Sequence, residues 1–142
     1  MAHLYLIRGL PGSGKTTLAK QMYDYGVVHY EADQFFEMSG EYRFDPRMLT
    51  AAHDWCWSKT MVALCDGYDV IVSNTFTQFW ELTRYLDFGS TLPGTTISII
   101  EMRTQYQSVH GISDQKMDQM KQRWATLPDD FEFPVKIIGE AE

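Results

Sequence analysis

The chain has 142 residues, which is the length of a single ordinary domain. Its 44% hydrophobic and 22% charged residues match the average of globular proteins, so the composition excludes a disordered chain, and no apolar run is long enough to span a membrane. Twelve Lys and Arg against nineteen Asp and Glu give a net charge of −7, so we expect no extended binding to a nucleic-acid backbone.

The first half of the chain alternates short apolar runs with helical patterns. Residues 4–7 form a continuous apolar run, as in a strand buried on both faces of a sheet. A glycine-rich turn and a helical pattern follow, and Gly26 is placed to end that helix. Residues 33–45 are predicted to be irregular, and Pro46 suits the first position of a helix that ends before Gly67. The elements predicted here are strands 4–7, 27–30 and 68–72 and helices 15–25 and 46–65.

The second half continues the alternation. Thr77 is placed to cap a helix that runs to Phe88, and Ser113 is placed to cap a helix over residues 114–124. The last two predicted strands are 97–100 and 135–138. Strands separated by helices are typical of a parallel sheet with helices on both faces. We therefore predict an α/β fold, a three-layer α/β/α sandwich around a five-stranded parallel sheet, whose ligands bind beyond the carboxyl ends of the strands.

The two cysteines are interpreted as structural. Cys56 and Cys65 lie in one predicted helix, too far apart along it for a disulfide, so we expect two small core residues in a reducing compartment. The first residues lack the basic start of a signal peptide. These observations predict a cytoplasmic protein with no membrane partner.

Residues 9–16 satisfy the pattern G-x-x-x-x-G-K-[ST] in full, between a predicted buried strand and a predicted helix. Glycines at these positions let backbone N–H groups converge on phosphate oxygens, and the new helix adds its positive N-terminal end. This loop predicts a P-loop NTPase fold, with one P-loop kinase-like domain over residues 1–142. The expected nucleotide-binding residues are Gly9, Pro11, Gly12, Ser13, Gly14, Lys15, Thr16 and Thr17.

The polar residues of the loop have distinct expected roles toward a nucleoside triphosphate. Lys15 can reach the β- and γ-phosphates, which makes it a candidate catalytic residue. The Thr16 hydroxyl can ligate Mg²⁺, and Thr17 is placed for the α-phosphate. We therefore expect a nucleoside triphosphate and Mg²⁺ as cofactors.

Asp33 follows the second predicted strand and is the candidate general base. If that strand lies beside or near the first, its carboxylate faces the γ-phosphate, where it can accept a proton from an acceptor hydroxyl or hold the water shell of Mg²⁺. The alternative is that Asp33 only caps the turn that follows it.

The third predicted strand ends in Ser73-Asn74-Thr75, where P-loop NTPases usually carry an aspartate that holds the metal. Serine and asparagine offer only neutral oxygens. Either Asp33 takes over the metal through a water, or Mg²⁺ is held mainly by phosphate, Thr16 and waters. Motor-type ATPases become less favoured, and kinases with a base on the second strand more favoured.

Phosphoryl transfer also needs cations over the transferring group. Arg103 follows the fourth strand, directly before a lid expected over about residues 104–123, and Arg123 is the last residue of that range. Both are candidate catalytic residues that act with the lid; the alternative is that they are solvated charges. Arg43 and Arg47 could meet an anionic acceptor, and Arg8 is interpreted as structural.

With these residues the chain resembles the P-loop kinases related to polynucleotide 5′-hydroxyl kinase, in the small phage and bacterial branch of AAA-type ATP-binding proteins. The resemblance covers nearly the whole chain in order and spacing. The stretches that carry it are 8–17, 32–36, 42–46, 52–56, 70–76, 80–81, 110–112 and 121–124.

The resemblance implies ATP-dependent phosphoryl transfer, with Asp33 as general base and residues 104–123 as lid. Two positions depart from the family pattern. Gln107 and Ser108 stand where an arginine commonly precedes His110-Gly111, and Phe36 replaces an acceptor-side arginine three residues past the base.

Two functional hypotheses follow from the sequence. The first is an ATP- and Mg²⁺-dependent kinase of a hydroxyl-bearing acceptor, for example a polynucleotide 5′ end, a nucleoside or another small molecule. The second is an ATP-binding regulatory module or slow ATPase, which the missing lid arginine favours; Phe36 instead disfavours transfer to a nucleic-acid end. His29 and His53 are interpreted as packing or surface residues under both.

Overall fold

A computed structural model of the protein describes residues 2–23, 26–104 and 113–139. Within these ranges it contains five strands, four α-helices and two 3₁₀ helices. The strands are β1 (His3–Gly9), β2 (Val27–Tyr30), β3 (Asp69–Asn74), β4 (Thr96–Met102) and β5 (Val135–Ile138). The α-helices are α1 (Lys15–Met22), α2 (Leu49–Cys65), α3 (Phe79–Thr91) and α4 (Asp114–Arg123), and the 3₁₀ helices are Ala32–Glu37 and Pro46–Met48.

The five strands form one parallel sheet in the order β2-β3-β1-β4-β5, which confirms the predicted architecture. β1 is central and pairs with β3 on one side and β4 on the other. The carboxyl ends of all five strands therefore lie at one edge of the sheet, and the segments that leave them meet there.

Helices cover both faces of the sheet because successive side chains of the buried strands point to opposite faces and are apolar on both. On one face, Leu4 and Leu6 of β1 belong to a large core cluster with residues of α2 and α3. On the other face, Ile7 of β1 packs in a smaller cluster with Ala19 of α1. β1 is thus held from both sides, which fixes the position of the turn at its end.

Two predicted helices begin or end elsewhere. α1 ends at Met22, three residues before the predicted end, and residues 24 and 25 lie outside the described ranges. Pro46 begins a 3₁₀ turn rather than the α-helix, because the Asp45 carboxylate accepts from the Arg47 backbone N–H and closes a tight turn there; α2 follows from Leu49.

Two further local predictions were wrong. Residues 33–37, predicted to be irregular, belong to a 3₁₀ helix that Glu31 and Gln34 cap reciprocally. The cap of α3 is Gln78 rather than Thr77: the Glu81 carboxylate accepts from the Gln78 backbone N–H, and the Thr77 hydroxyl donates to the same carboxylate. The predicted Ser113 cap of α4 is confirmed, since its side chain accepts from the Lys116 backbone N–H.

The cysteines differ in their environment. Cys56 is buried in the core as predicted, whereas Cys65 is exposed, because it lies at the last residue of α2, where the helix leaves the sheet. Burial raises the pKa of the Cys56 thiol, which keeps it protonated and unreactive. None of the helices in the described ranges is long and apolar enough to cross a membrane.

This difference predicts selective alkylation. Native protein treated with iodoacetamide should react at Cys65 and leave Cys56 unmodified, as peptide mass spectrometry would show. Cys65→Ser should then abolish labelling of the native protein, whereas Cys56→Ser should not. Rapid modification of Cys56 under native conditions would contradict the packing of α2 against the sheet.

Candidate functional site

The turn between β1 and α1 forms a cradle of backbone N–H groups. Gly12 and Gly14 adopt left-handed conformations with φ of 83° and 90°, which side chains with a Cβ rarely adopt. The turn is closed by a 3.1 Å hydrogen bond from the Ser13 N–H to the Leu10 carbonyl. No side chain in the described part of the protein caps α1, so the first N–H groups of this helix are left for another acceptor.

Two side chains of the cradle fit a phosphate ligand. The Ser13 hydroxyl is buried and has no hydrogen-bond partner among the described residues. The Lys15 ammonium donates to the Leu10 carbonyl at 3.2 Å and so lies across the loop. Burial lowers the pKa of Lys15 to about 8, against the opposing charges of Glu31 and Asp33. An anion here would meet an uncapped helix end, a free hydroxyl and an ammonium.

Glu31, which the sequence analysis did not single out, contacts this loop directly. It follows β2, and its Oε2 accepts from the Thr16 hydroxyl at 3.0 Å and from the Ser73 hydroxyl at 2.8 Å. The only signals in the sequence were its place after a strand and the missing aspartate at the end of β3. A carboxylate therefore lies beside Thr16, although β3 does not supply it.

His29 completes this contact and is not simply a packing residue. Its Nε2 lies 2.6 Å from the Ser73 oxygen and 3.6 Å from Glu31 Oε2. Because the Ser73 proton goes to Glu31, the imidazole must donate from Nε2. Burial lowers the pKa of His29, although the charge of Glu31 opposes this, so the neutral ring is favoured.

Asp33 lies on the 3₁₀ helix that follows β2, close to the loop. Its side chain reaches solvent, and its Oδ1 accepts from the Tyr42 hydroxyl at 3.5 Å. Partial desolvation of the carboxylate raises the pKa of Asp33, and the negative charge of Glu31 raises it further. The hydrogen bond from Tyr42 and the charge of Lys15 act in the opposite direction. Such a carboxylate is a better proton acceptor than a solvated aspartate.

Asn74 holds the turn that carries Asp33. Its Oδ1 accepts from the Ala32 backbone N–H at 2.9 Å, and its Nδ2 lies 3.7 Å from the Cys56 sulfur. β2 does not lie beside β1, because β3 separates them. Asp33 is therefore positioned through the end of β3, and Asn74 is a positioning residue for the turn.

Arg8, directly before the loop, is fully buried, in agreement with its structural interpretation. Its guanidinium donates to the Phe76 carbonyl through Nε and Nη2 at 3.1 and 2.8 Å, and to the Ala125 carbonyl through Nη2 at 2.8 Å. Its Nη1 pairs with Glu101 of β4 at 2.9 Å, and the group lies 3.8 Å from the centre of the Trp124 ring. The Arg8 guanidinium thus connects the ends of β1, β3 and β4 with the segment after α4.

The predicted lid cations lie in different settings. Arg103 Nε donates to Glu101 Oε2 at 2.7 Å, so its charge is paired. Arg123 is exposed at the end of α4, and its carbonyl accepts from the Gln78 side chain. Residues 105–112, which include Gln107, Ser108 and His110, lie outside the described residues.

An aromatic surface adjoins Asp33. The Phe36 ring lies 6.3 Å from the Tyr42 ring and 5.1 Å from the Phe44 ring, and the Lys116 ammonium of α4 lies 5.4 Å from the centre of Phe44. A groove of about 660 Å³ runs along Phe36 and Phe44.

The two arginines of this groove are exposed and paired with neighbours. Arg43 pairs with Glu41 at 3.2 Å, and Arg47 pairs with Asp45 at 2.9 Å. Such exposed pairs are weak, so both guanidinium groups remain available to an anion. Within the described residues, no three or more His, Cys, Asp or Glu side chains are grouped to hold a metal by themselves.

The sequence matches the AAA domain family over residues 4–105. The chain belongs to this family. Its described residues have the P-loop NTPase fold, with a glycine-rich turn between the central strand and α1.

Three similar proteins illustrate the range of the fold. NEDD4-binding protein 2 of Homo sapiens is 30% identical over 140 residues, which span 88% of this chain and 8% of that protein. The Pnkp1/Rnl/Hen1 RNA repair complex contains a chain with a TM-score of 0.67 and 16% identity, matched over 87% of this chain and 44% of that one. A sugar kinase from Janibacter sp. HTCC2649 has a TM-score of 0.65 and 14% identity, matched over 97% of this chain and 84% of that one.

The Arg8 contacts predict a large effect on stability. Arg8→Met should lower the free energy of unfolding by about 3 kcal/mol or more, because it leaves the Phe76 and Ala125 carbonyls unsatisfied and removes one partner of a buried ion pair. Denaturant titration measures this. The matched Arg47→Met, at an exposed ion pair, should leave the denaturation midpoint almost unchanged. Equal effects of the two substitutions would contradict the role of Arg8.

Proposed function

We propose that the protein is an ATP- and Mg²⁺-dependent phosphotransferase that transfers the γ-phosphoryl group to an acceptor hydroxyl. The observation that carries this proposal is the pairing of a phosphate cradle with Asp33, a solvent-reaching carboxylate whose pKa is raised. A cradle alone binds nucleotide. A proton acceptor beside it adds what transfer to a hydroxyl requires.

The cradle would hold the phosphates through the N–H groups of residues 9–17, with Pro11 shaping the turn. Lys15 would leave the Leu10 carbonyl and bind the β- and γ-phosphates. Thr16 would ligate Mg²⁺, which when bound neutralises charge on the β- and γ-phosphates. Asp33 would add to the water shell of the metal or act as the base; its exposure toward Tyr42 favours the second role.

The acceptor would enter along the exposed rings of Tyr42 and Phe44, against which the buried Phe36 ring packs. Its hydroxyl would replace the Tyr42 hydroxyl on Asp33, which then takes the proton as the phosphoryl group arrives. Arg43 and Arg47 would meet an anionic group of the acceptor. A polynucleotide 5′ end, a nucleoside or another small molecule fits this arrangement, and the net charge of −7 favours an acceptor held near its end.

Residues 104–123 would form the lid of a single kinase-like domain spanning 1–142. Arg103 and Arg123 would supply cations to the transferring group. For Arg103 this requires that its guanidinium leave Glu101, which remains neutralised by Arg8. A cytoplasmic location remains a prediction from the sequence.

A second function, an ATP-binding regulatory module or slow ATPase, is favoured by two observations. Arg103 is paired with Glu101, and the arginine expected near Gln107 and Ser108 is missing from the sequence. A site that cannot place a cation over the γ-phosphate binds ATP but turns it over slowly.

The proposal predicts a separation of binding from transfer in Asp33→Asn. With γ-labelled ATP and a panel of 5′-hydroxyl oligonucleotides, nucleosides and sugars, wild-type protein should label at least one acceptor. Asp33→Asn should lower that rate about 100-fold or more, because the base is lost. Its affinity for ATP, measured by calorimetry, should stay within about threefold, because the phosphate cradle is untouched.

Glu37→Gln is the matched control, since Glu37 is exposed at the other end of the same 3₁₀ helix. It should transfer phosphate like wild type. Tight ATP binding without labelling of any acceptor, and hydrolysis that Asp33→Asn does not change, would support the regulatory module instead.

A further inference from the structure

The Glu31 carboxylate accepts a hydrogen bond from Thr16 of the phosphate loop. The proposed proton transfer by Asp33 does not use this contact. We propose that Glu31 supplies the acidic side of the Mg²⁺ site, holding the water shell of an ion ligated by Thr16 in place of an aspartate at the end of β3. This inference rests on the proposed nucleotide site. Glu31 then has the role toward the metal, and Asp33 keeps the role of the base.

The contact between Glu31 and Thr16 has the right proton arrangement. The Thr16 hydroxyl donates its only proton to Glu31 Oε2 at 3.0 Å. Its oxygen lone pairs are therefore left for a cation, which is the state that a ligating hydroxyl must adopt. A carboxylate that accepts the proton of a metal-ligating side chain fixes its orientation and strengthens it as a ligand.

The strand register explains how Glu31, the residue directly after β2, reaches Thr16. Tyr30 of β2 pairs with Val72 of β3, so the next residues, Glu31 and Ser73, lie level with each other where the two strands end. Ser73 in turn pairs with Ile7 of β1, two residues before the loop. The short Ser73 side chain leaves room for the longer Glu31 side chain to extend across the end of β3 toward Thr16.

Several donors hold the Glu31 carboxylate in this position. Ser73 donates to the same Oε2 at 2.8 Å, and the Gln34 backbone N–H donates to the side chain in the reciprocal cap of the 3₁₀ helix. His29 orients Ser73 by donating to its oxygen. The carboxylate is therefore pre-oriented before any ligand binds, which lowers the cost of assembling a metal site.

The hydrogen bonds of the two carboxylates separate Glu31 from Asp33. Glu31 accepts directly from Thr16 of the phosphate loop at 3.0 Å. Asp33 instead reaches solvent beside Tyr42. One carboxylate thus faces the loop and the other faces the side from which an acceptor enters.

The test compares nucleotide affinity with and without Mg²⁺, a readout that needs no turnover. Wild-type protein should bind ATP more tightly with Mg²⁺ than with EDTA in calorimetry. Glu31→Gln keeps acceptors for the Thr16 and Ser73 hydroxyls but removes the charge. It should lose at least tenfold of the Mg²⁺ enhancement while binding metal-free ATP as tightly as wild type or more tightly, because a negative charge near the phosphates is gone.

Two matched variants make the result specific to Glu31. Asp33→Asn and Glu37→Gln should each keep the wild-type Mg²⁺ enhancement. Adding Ser73→Asp to Glu31→Gln should restore part of it, because the carboxylate then returns from the end of β3. Thermal unfolding confirms that each variant is folded; if Glu31→Gln is not, Glu31→Asp, with a carboxylate one methylene shorter, should lose at least threefold of the enhancement.

Full Mg²⁺ enhancement in a folded Glu31→Gln or Glu31→Asp variant, or its loss in Asp33→Asn, would overturn the inference. Wild-type protein that binds ATP with this Glu31-dependent Mg²⁺ enhancement but phosphorylates no acceptor would leave the metal role of Glu31 intact and defeat the proposed transfer. Absence of ATP binding by the wild-type protein would defeat both.

Discussion

The buried guanidinium of Arg8 is the constraint on which the site depends. It lies in the central strand directly before the phosphate loop, and its contacts reach Phe76 after β3, Glu101 at the end of β4 and Ala125 after α4. Phe76 has a positive φ of 47°, and its carbonyl is the one that accepts twice from Arg8. A buried cation whose three nitrogens all donate hydrogen bonds allows few arrangements of the chain around it, so the loops that surround the cradle are fixed relative to β1.

The segment directly after β2 carries two carboxylates with different surroundings. Glu31 is bound by hydroxyls of the loop and of β3, whereas Asp33 meets the Tyr42 hydroxyl at the solvent-facing side. Carboxylates so close together influence each other, and the charge of Glu31 helps to raise the pKa of Asp33. The two carboxylates that follow the same strand thus lie in separate places, one bound to the phosphate loop and one at the solvent-facing side.

The features of the fold and the site that depend on local sequence patterns could be predicted from the sequence. The phosphate loop was recognisable because its glycines, lysine and threonine stand at a fixed spacing. β5 was placed at residues 135–138 because Val135, Ile137 and Ile138 make this short segment rich in β-branched residues. Gln78 and Thr77 are adjacent polar residues that can both use Glu81, so the local sequence could not distinguish the cap of α3. Glu31 was missed because its contact with Thr16 depends on the pairing of β2 with β3 rather than on sequence spacing.

The fate of the γ-phosphate tests the central claim most directly. Phosphorus NMR of reactions that contain the protein, MgATP and one acceptor at a time distinguishes a phosphate ester on the acceptor from free inorganic phosphate. We predict that, with at least one hydroxyl acceptor, the ester forms in equal amount to ADP. Formation of ADP and inorganic phosphate at the same rate with and without every acceptor would contradict a phosphotransferase.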